Sequence, residues 1–296
     1  MENNTNYQIY CLYHNKVFPR YYGNQIDKIT FVKMGNSPYI FPSKKHITLF
    51  KEPYFEPIGK EWAEYEFYYS FYKGYKKGLI DLPEYLGFIQ YDMEFKSKKI
   101  NYPGMSVIDF IEKLIKENKL NPKTIVSFQP TNFENIYNEH IIMDPKRPCV
   151  RRDCNFENCL QTIIKECNTI TKKNLKISDL KGRNIPICGA FFIHKSVFIN
   201  IMESLSIIIE DGRLNIYNKK DRMQGGLSER YLAVLLEGVK LNKIEFPLKH
   251  HFKSYTLKKN LLMLIDHNLG KIGILLKNNY PGLYYKIKGF LLKKRF

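Results

Sequence analysis

Asp92 and Glu94 stand one residue apart at the end of the apolar run LGFIQYDMEF, residues 86–95, with Lys96, Lys98 and Lys99 directly behind them. Leu86, Phe88 and Ile89 predict a short buried strand. Alternation along that strand sends Asp92 and Glu94 the same way, at or just past its carboxyl end. Two neighbouring carboxylates repel each other unless a cation lies between them. A hard divalent ion, Mg²⁺ or Mn²⁺, takes oxygen ligands and leaves positions open for phosphate. The plain alternative is a polar strand end facing water, so the rest of the chain must decide.

Other residues with useful chemistry fall at predicted strand ends. YQIYCLYHN predicts a first strand that delivers His14 and Asn15, and KIEFPLKHH a late strand that delivers His250 and His251. Either of those last two histidines is a candidate third metal ligand, since imidazole suits Mn²⁺. Phosphate contact or surface exposure is the alternative for the pair. GGLSERYLAVLLEG predicts a helix with Glu229 just inside it, after a flexible Gly225-Gly226. Glu229 is the candidate general base for an acceptor hydroxyl, with Asp221 the weaker substitute. Its alternative role is to favour the helix dipole or to pair with Arg230.

The elements that must position these residues alternate. KITFVKMGN predicts a second strand, followed by a Pro- and aromatic-rich connection with no regular element. EYEFYYSFYKGY predicts a helix apolar on most sides and therefore buried. SVIDFIEKLIKENK is amphipathic, with Ser106 as its cap and Asp109 three residues on. TIVSF and PICGAFFIHK read as strands, NFENCLQTIIKECNTI and SVFINIMESLSIIIED as helices. The expected fold is α/β, a mixed and mainly parallel sheet flanked by helices. In such sheets the ligand crevice lies beyond the carboxyl ends of the strands, where the candidates above converge.

The chain has 296 residues, a formal net charge of +18 and six cysteines. That length suits one domain, expected over residues 1–252, with a basic tail over 253–296. The tail holds nine Lys and one Arg against Asp266 alone, half of the net excess. Its interleaved Leu, Ile, Tyr, Phe and Lys suit an anionic membrane surface. No run approaches a membrane span and the start lacks a secretory pattern, so a cytoplasmic protein, peripheral on a membrane through its tail, is expected. Cys149, Cys154, Cys159 and Cys167 are too widely spaced for most zinc sites and read as free thiols.

Several of these segments, taken in order, resemble glycosyltransferases of the GT-A fold. The likeness is to a bacterial and viral group associated with capsular or surface polysaccharide synthesis, the DUF4422-like type. IYCLYHNK is similar through His14 and Lys16, and EYEFYYSFYKGY through Glu64 and Lys73. LGFIQYDMEF, GAFFIHKSVF and GLSERYLAVLL follow in the same order, the last with Glu229 and Arg230. One departure stands out: the group commonly has His-Tyr-Arg-Arg where this chain has Gln90-Tyr91-Asp92-Met93.

The resemblance implies a nucleoside-diphosphate sugar donor and a glycan or lipid-linked acceptor. It puts base and ribose near Tyr13, His14 and Asn15. The diphosphate and its divalent cation fall at Asp92 and Glu94, and the acceptor near Glu229.

Two rival readings carry different chemistry. Asp81, Glu94 and Lys96 match a loose nuclease pattern, and the positive charge would suit nucleic acid. That triad requires Asp81 beside Glu94, whereas DLPEY reads as a turn, so nucleic acid is the weaker partner. A non-catalytic basic protein docking on a membrane accounts for the tail but leaves the strand-end acids and histidines unexplained.

Overall fold

Side chains of the inner strand β1 (Tyr7–Tyr13) alternate between two cores. Ile9, Cys11 and Tyr13 face one core, shared with Ile29, Phe31, Ile89 and helix α2 (Val107–Lys116). Tyr10 faces the other and packs its ring on Phe67, Phe71 and Phe88. The computed structural model of the protein describes residues 5–14, 17–36, 38–97, 102–133, 156–186, 189–212 and 223–250. Nearly all of them belong to one compact unit, Met1–Phe133 with Leu160–His251. The basic tail at 253–296 and Cys149, Cys154 and Cys188 lie outside the described residues.

The remaining strands are β2 (Ile29–Lys33), β3 (His46–Thr48), β4 (Tyr85–Gln90), β5 (Met93–Ser97), β6 (Thr124–Ser127) and β7 (Pro130–Asn132). β8 (Asn184–Pro186), β9 (Phe191–His194), β10 (Asn242–Glu245) and β11 (Leu248–His250) follow. Seven of them form the main sheet, in the order β10-β6-β9-β4-β1-β2-β3. β9 runs antiparallel to both its neighbours, and every other pair is parallel. The architecture is the expected mixed, mainly parallel sheet flanked by helices.

Helix α1 (Tyr65–Lys76) is buried along almost its whole length because it packs on the sheet and beside helix α4 (Lys195–Glu210), whose Phe198 also reaches Phe88 of the sheet at 5.6 Å. Tyr68 meets Phe88 at 4.8 Å on the sheet side, and Phe71 meets Phe198 of α4 at 6.4 Å. Lys73, at the far end of α1, pairs with Glu210 at 3.0 Å on the surface. α2 starts as expected, Ser106 Oγ accepting from the Asp109 N–H at 3.1 Å. α3 (Phe156–Thr171) and α5 (Met223–Gly238) complete the helices, and among the described residues none is long and apolar enough to cross a membrane.

Three expectations are corrected. The aromatic connection after β2 contains an element after all: β3, a three-residue edge strand paired with β2. KIEFPLKHH is two strands rather than one. Pro247 has no N–H to donate and interrupts the ladder, so β10 stays in the main sheet while β11 pairs with β5. The run 86–95 is likewise split. β4 ends at Gln90, Tyr91-Asp92 make a turn, and β5 begins at Met93.

A candidate site at the strand ends

The turn after β4 places Asp92 over the carboxyl end of β1. Tyr91 N–H donates to the Leu12 carbonyl at 3.1 Å, and Tyr22 donates its hydroxyl proton to the Tyr91 carbonyl at 3.0 Å. The Cys11 thiol in turn donates to Tyr22 Oη, 3.3 Å away. Burial pushes the Cys11 thiol up to about 12; the bond to Tyr22 works against that shift and the Asp92 charge adds to it. Tyr22 is raised well above its ordinary value, again first by burial, with Asp92 contributing. Asp92 therefore brings negative charge to bear on a buried thiol and phenol, and the Tyr22 bond pins the turn that carries it.

Met93 and Phe95 of β5 are buried, so alternation turns Glu94 to the opposite, partly open face. Asp92 belongs to the turn and not to that strand. The antiparallel partner β11 places Lys249 opposite Glu94 and His250 opposite Met93. Lys249 Nζ lies 3.8 Å from Glu94 Oε2. The backbone of His250 thus stands across from the residue that separates the two acids. Its side chain, and all of His251, lie outside the described residues. Among the described residues no three His, Cys, Asp or Glu side chains cluster as a metal site.

At the first strand, Tyr13 is a supporting residue and not a ligand-facing one. Its ring is fully buried, and its hydroxyl is engaged by His46 Nε2 at 2.7 Å and by the Phe41 N–H at 3.1 Å. His14 follows at the exposed end, its ring seated against Gly35, where an added Cβ would lie 3.6 Å from Nδ1. Asn15 lies outside the described residues.

Glu229 sits in the second turn of α5 and not at its start, because the helix runs through Gly225-Gly226. Those glycines are not a hinge. A Cβ on Gly225 would stand 3.2 Å from the Ala63 Cβ and from the carbonyls of Glu61 and Trp62. The missing side chain lets α5 pack directly on that turn. The turn is itself strained: Ala63 has φ 55° and ψ −127°, a conformation L-residues avoid. Directly after it Glu64 stands at the N-cap of α1, and its Oε1 accepts from Gln90 Nε2 at 3.4 Å. A line of contacts therefore runs from the end of β4 through Glu64 and Ala63 to α5. Glu229 is partly exposed, with Arg230 Nη1 3.8 Å from Oε2.

No protein-family model matches the chain, and no curated protein matches it. Among solved structures, the apo form of the bifunctional glycosyltransferase WbbM superposes with a TM-score of 0.46 at 14% identity. The match covers 82% of this chain, which spans 44% of the length of that one.

The nuclease triad is not assembled. Asp81 lies in the loop before β4 and Glu94 beyond its other end, so the six residues of β4, roughly 20 Å of strand, separate them. Cys167 is a free, buried thiol on α3. A concavity of about 480 Å³ lined by Gln161, Lys165, Asn168 and Lys176 contains none of the strand-end residues.

Two residues near the first strand escaped the sequence reading, Lys33 and His46. The signal for Lys33 was present. It ends an apolar strand in phase with Ile29 and Phe31, so alternation puts its charge on a buried face.

Proposed function

We propose that this chain is a glycosyltransferase that moves a sugar from a nucleoside-diphosphate sugar to a glycan or lipid-linked acceptor with the help of a divalent cation. The observation that carries the reading is the turn after β4, which sets Asp92 over the carboxyl end of the inner strand β1 with Glu94 two residues on. Two carboxylates and an imidazole are a donor set that suits Mn²⁺ or Mg²⁺. The Asp92 charge acting on Cys11 and Tyr22 is of the sign that a cation would offset. Asp92, Glu94 and His250 or His251 would hold the ion. Once bound, it would neutralise charge developing on the departing diphosphate.

In this reading His14 and Asn15 contact the nucleoside, with Tyr13 buttressing them from below. Glu229 accepts the proton of the acceptor hydroxyl, and α5 is held to the strand end by the Gly225–Ala63 contact. The order of the motifs in the chain supports the polysaccharide-type transfer that the resemblance implies. The basic, aromatic tail at 253–296 supports an anionic membrane surface as the place where a lipid-linked acceptor is met.

A thermal-shift screen of nucleoside-diphosphate sugars with and without Mn²⁺ tests this. One donor should raise the melting temperature by several degrees in the presence of Mn²⁺ and much less without it. A flat response to every UDP-, GDP-, CDP- and dTDP-sugar would remove the transferase reading.

A further inference from the structure

Lys33 closes β2, and the fold leaves it 3% exposed. A lysine side chain so enclosed, with little of its ammonium left to water, is normally matched by a carboxylate or by several acceptors, because removal from water is costly. Among the described residues Lys33 has neither. Its ammonium lies over the ring of Phe50, 5.6 Å from the centroid. A ring face attracts a cation but leaves its N–H donors without acceptors.

The surroundings form a small basin. β2 and β3 pair so that Lys33 is opposite Thr48 and Phe31 opposite His46, on one face of the sheet with Tyr13. His46 Nε2 stands 2.7 Å from Tyr13 Oη. Burial lowers the pKa of His46, and the Lys33 charge lowers it further, so the imidazole is neutral near pH 7. The rim is aromatic. Tyr39 packs edge-on against Tyr13 at 6.3 Å, and Tyr39 and Phe50 are each 38% exposed.

We propose that Lys33, with His46 beside it, is an oxyanion site that receives a phosphate group. The ammonium supplies charge and three donors, the imidazole adds a polar neighbour, and the aromatic rim holds the site partly out of water, where charge-assisted bonds are strongest. The phosphate comes either from a nucleotide or from a free phosphate ion. The site stands on β2 and β3, two strands from the turn that carries Asp92, and needs no metal. It therefore does not depend on the transferase reading.

The test is calorimetric titration of the full chain with inorganic pyrophosphate in metal-free buffer, repeated with UMP. Lys33→Met should weaken pyrophosphate at least tenfold. Lys113→Met, which removes the same charge from the surface of α2, should leave affinity within twofold and so controls for the general positive charge. UMP binding tighter than inorganic phosphate, titrated in the same buffer, identifies a nucleotide as the source, and equal or weaker binding a free phosphate ion.

A second readout uses the unmutated protein. Saturating pyrophosphate should raise the NMR titration midpoint of His46, because the anion offsets the Lys33 charge. Lys33→Met should raise it without any ligand. Wild-type pyrophosphate affinity in folded Lys33→Met, or a His46 midpoint that ignores saturating ligand, would overturn the site. Loss of donor-sugar binding with pyrophosphate binding intact would instead count against the transferase reading alone.

Discussion

Lys249 stands opposite Glu94 in the β5–β11 pair, its Nζ 3.8 Å from Glu94 Oε2. Both side chains are partly open to water, so the pair contributes only about 0–1 kcal/mol to stability. Its interest lies in competition, since a divalent cation at Glu94 must displace that ammonium or share the carboxylate with it. Lys249→Met should leave the melting temperature within a few degrees and tighten Mn²⁺ binding several-fold by calorimetry. Unchanged Mn²⁺ affinity would separate Glu94 from the cation.

Asp92→Asn and Glu94→Gln should each lower transfer at least a hundredfold, on the order of 3 kcal/mol of lost transition-state stabilisation. The amides keep the shape of the side chains, so unfolding free energy should change by no more than about 1 kcal/mol. Turnover with the proposed donor and its unfolding curve are the paired measurements. Wild-type turnover by either variant contradicts its assignment.

Gly225 and Gly226 are adjacent in α5 but face different surroundings. A side chain at Gly225 meets two backbone carbonyls at 3.2 Å, which cannot move aside easily; at Gly226 it meets the Arg230 guanidinium at 3.5 Å, an ordinary contact. Gly225→Val should therefore destabilise by about 1–3 kcal/mol through overpacking. Gly226→Ala should be neutral or stabilise by up to about 1 kcal/mol, because alanine favours the helix. Denaturant titration of both variants reads the contrast, and equal effects would mean that α5 does not rest on the Ala63 turn.

Glu66 supplies a pH signature. Burial raises its carboxyl above the ordinary 4.5, the Gly59 and Ile58 N–H groups work against that shift, and the Glu61 charge adds to it. Below 4.5 both folded and unfolded chains hold the proton, and the group contributes nothing. As pH rises through that value the unfolded chain ionises first, so stability falls until the folded group ionises too. Glu66→Gln removes this loss and keeps an oxygen for the Gly59 N–H. The melting temperature of the variant relative to wild type should rise between pH 4 and pH 7. A difference independent of pH would show that Glu66 ionises normally.

Much of the frame was legible because it rests on periodicity. The two-residue repeat of β1 and β2, the stripe of α2 with its Ser106 cap, and the all-round aromatic surface of α1 each state which face is buried. Alternating strands and helices then leave few arrangements besides a helix-flanked, mainly parallel sheet. β3 was illegible because three residues are too short to show a period, and it is recognised only by its pairing with β2.

The strand-end chemistry divides the same way. Residue types and order, on their own, located Asp92 and Glu94 beyond an inner strand and the His250-His251 pair at the end of a late one, because strand ends are local features. Only the tertiary structure decided that the run breaks at Tyr91-Asp92, that β11 leaves the main sheet to lie against β5, and that Gly225 serves close packing rather than motion. Each of these depends on atoms distant in the chain: the Tyr22 hydroxyl bound to the Tyr91 carbonyl, the partner strand beyond Pro247, and the turn at Ala63. Spacing along a chain reports which face a residue takes within its own element, and which other element lies against that face is settled by packing.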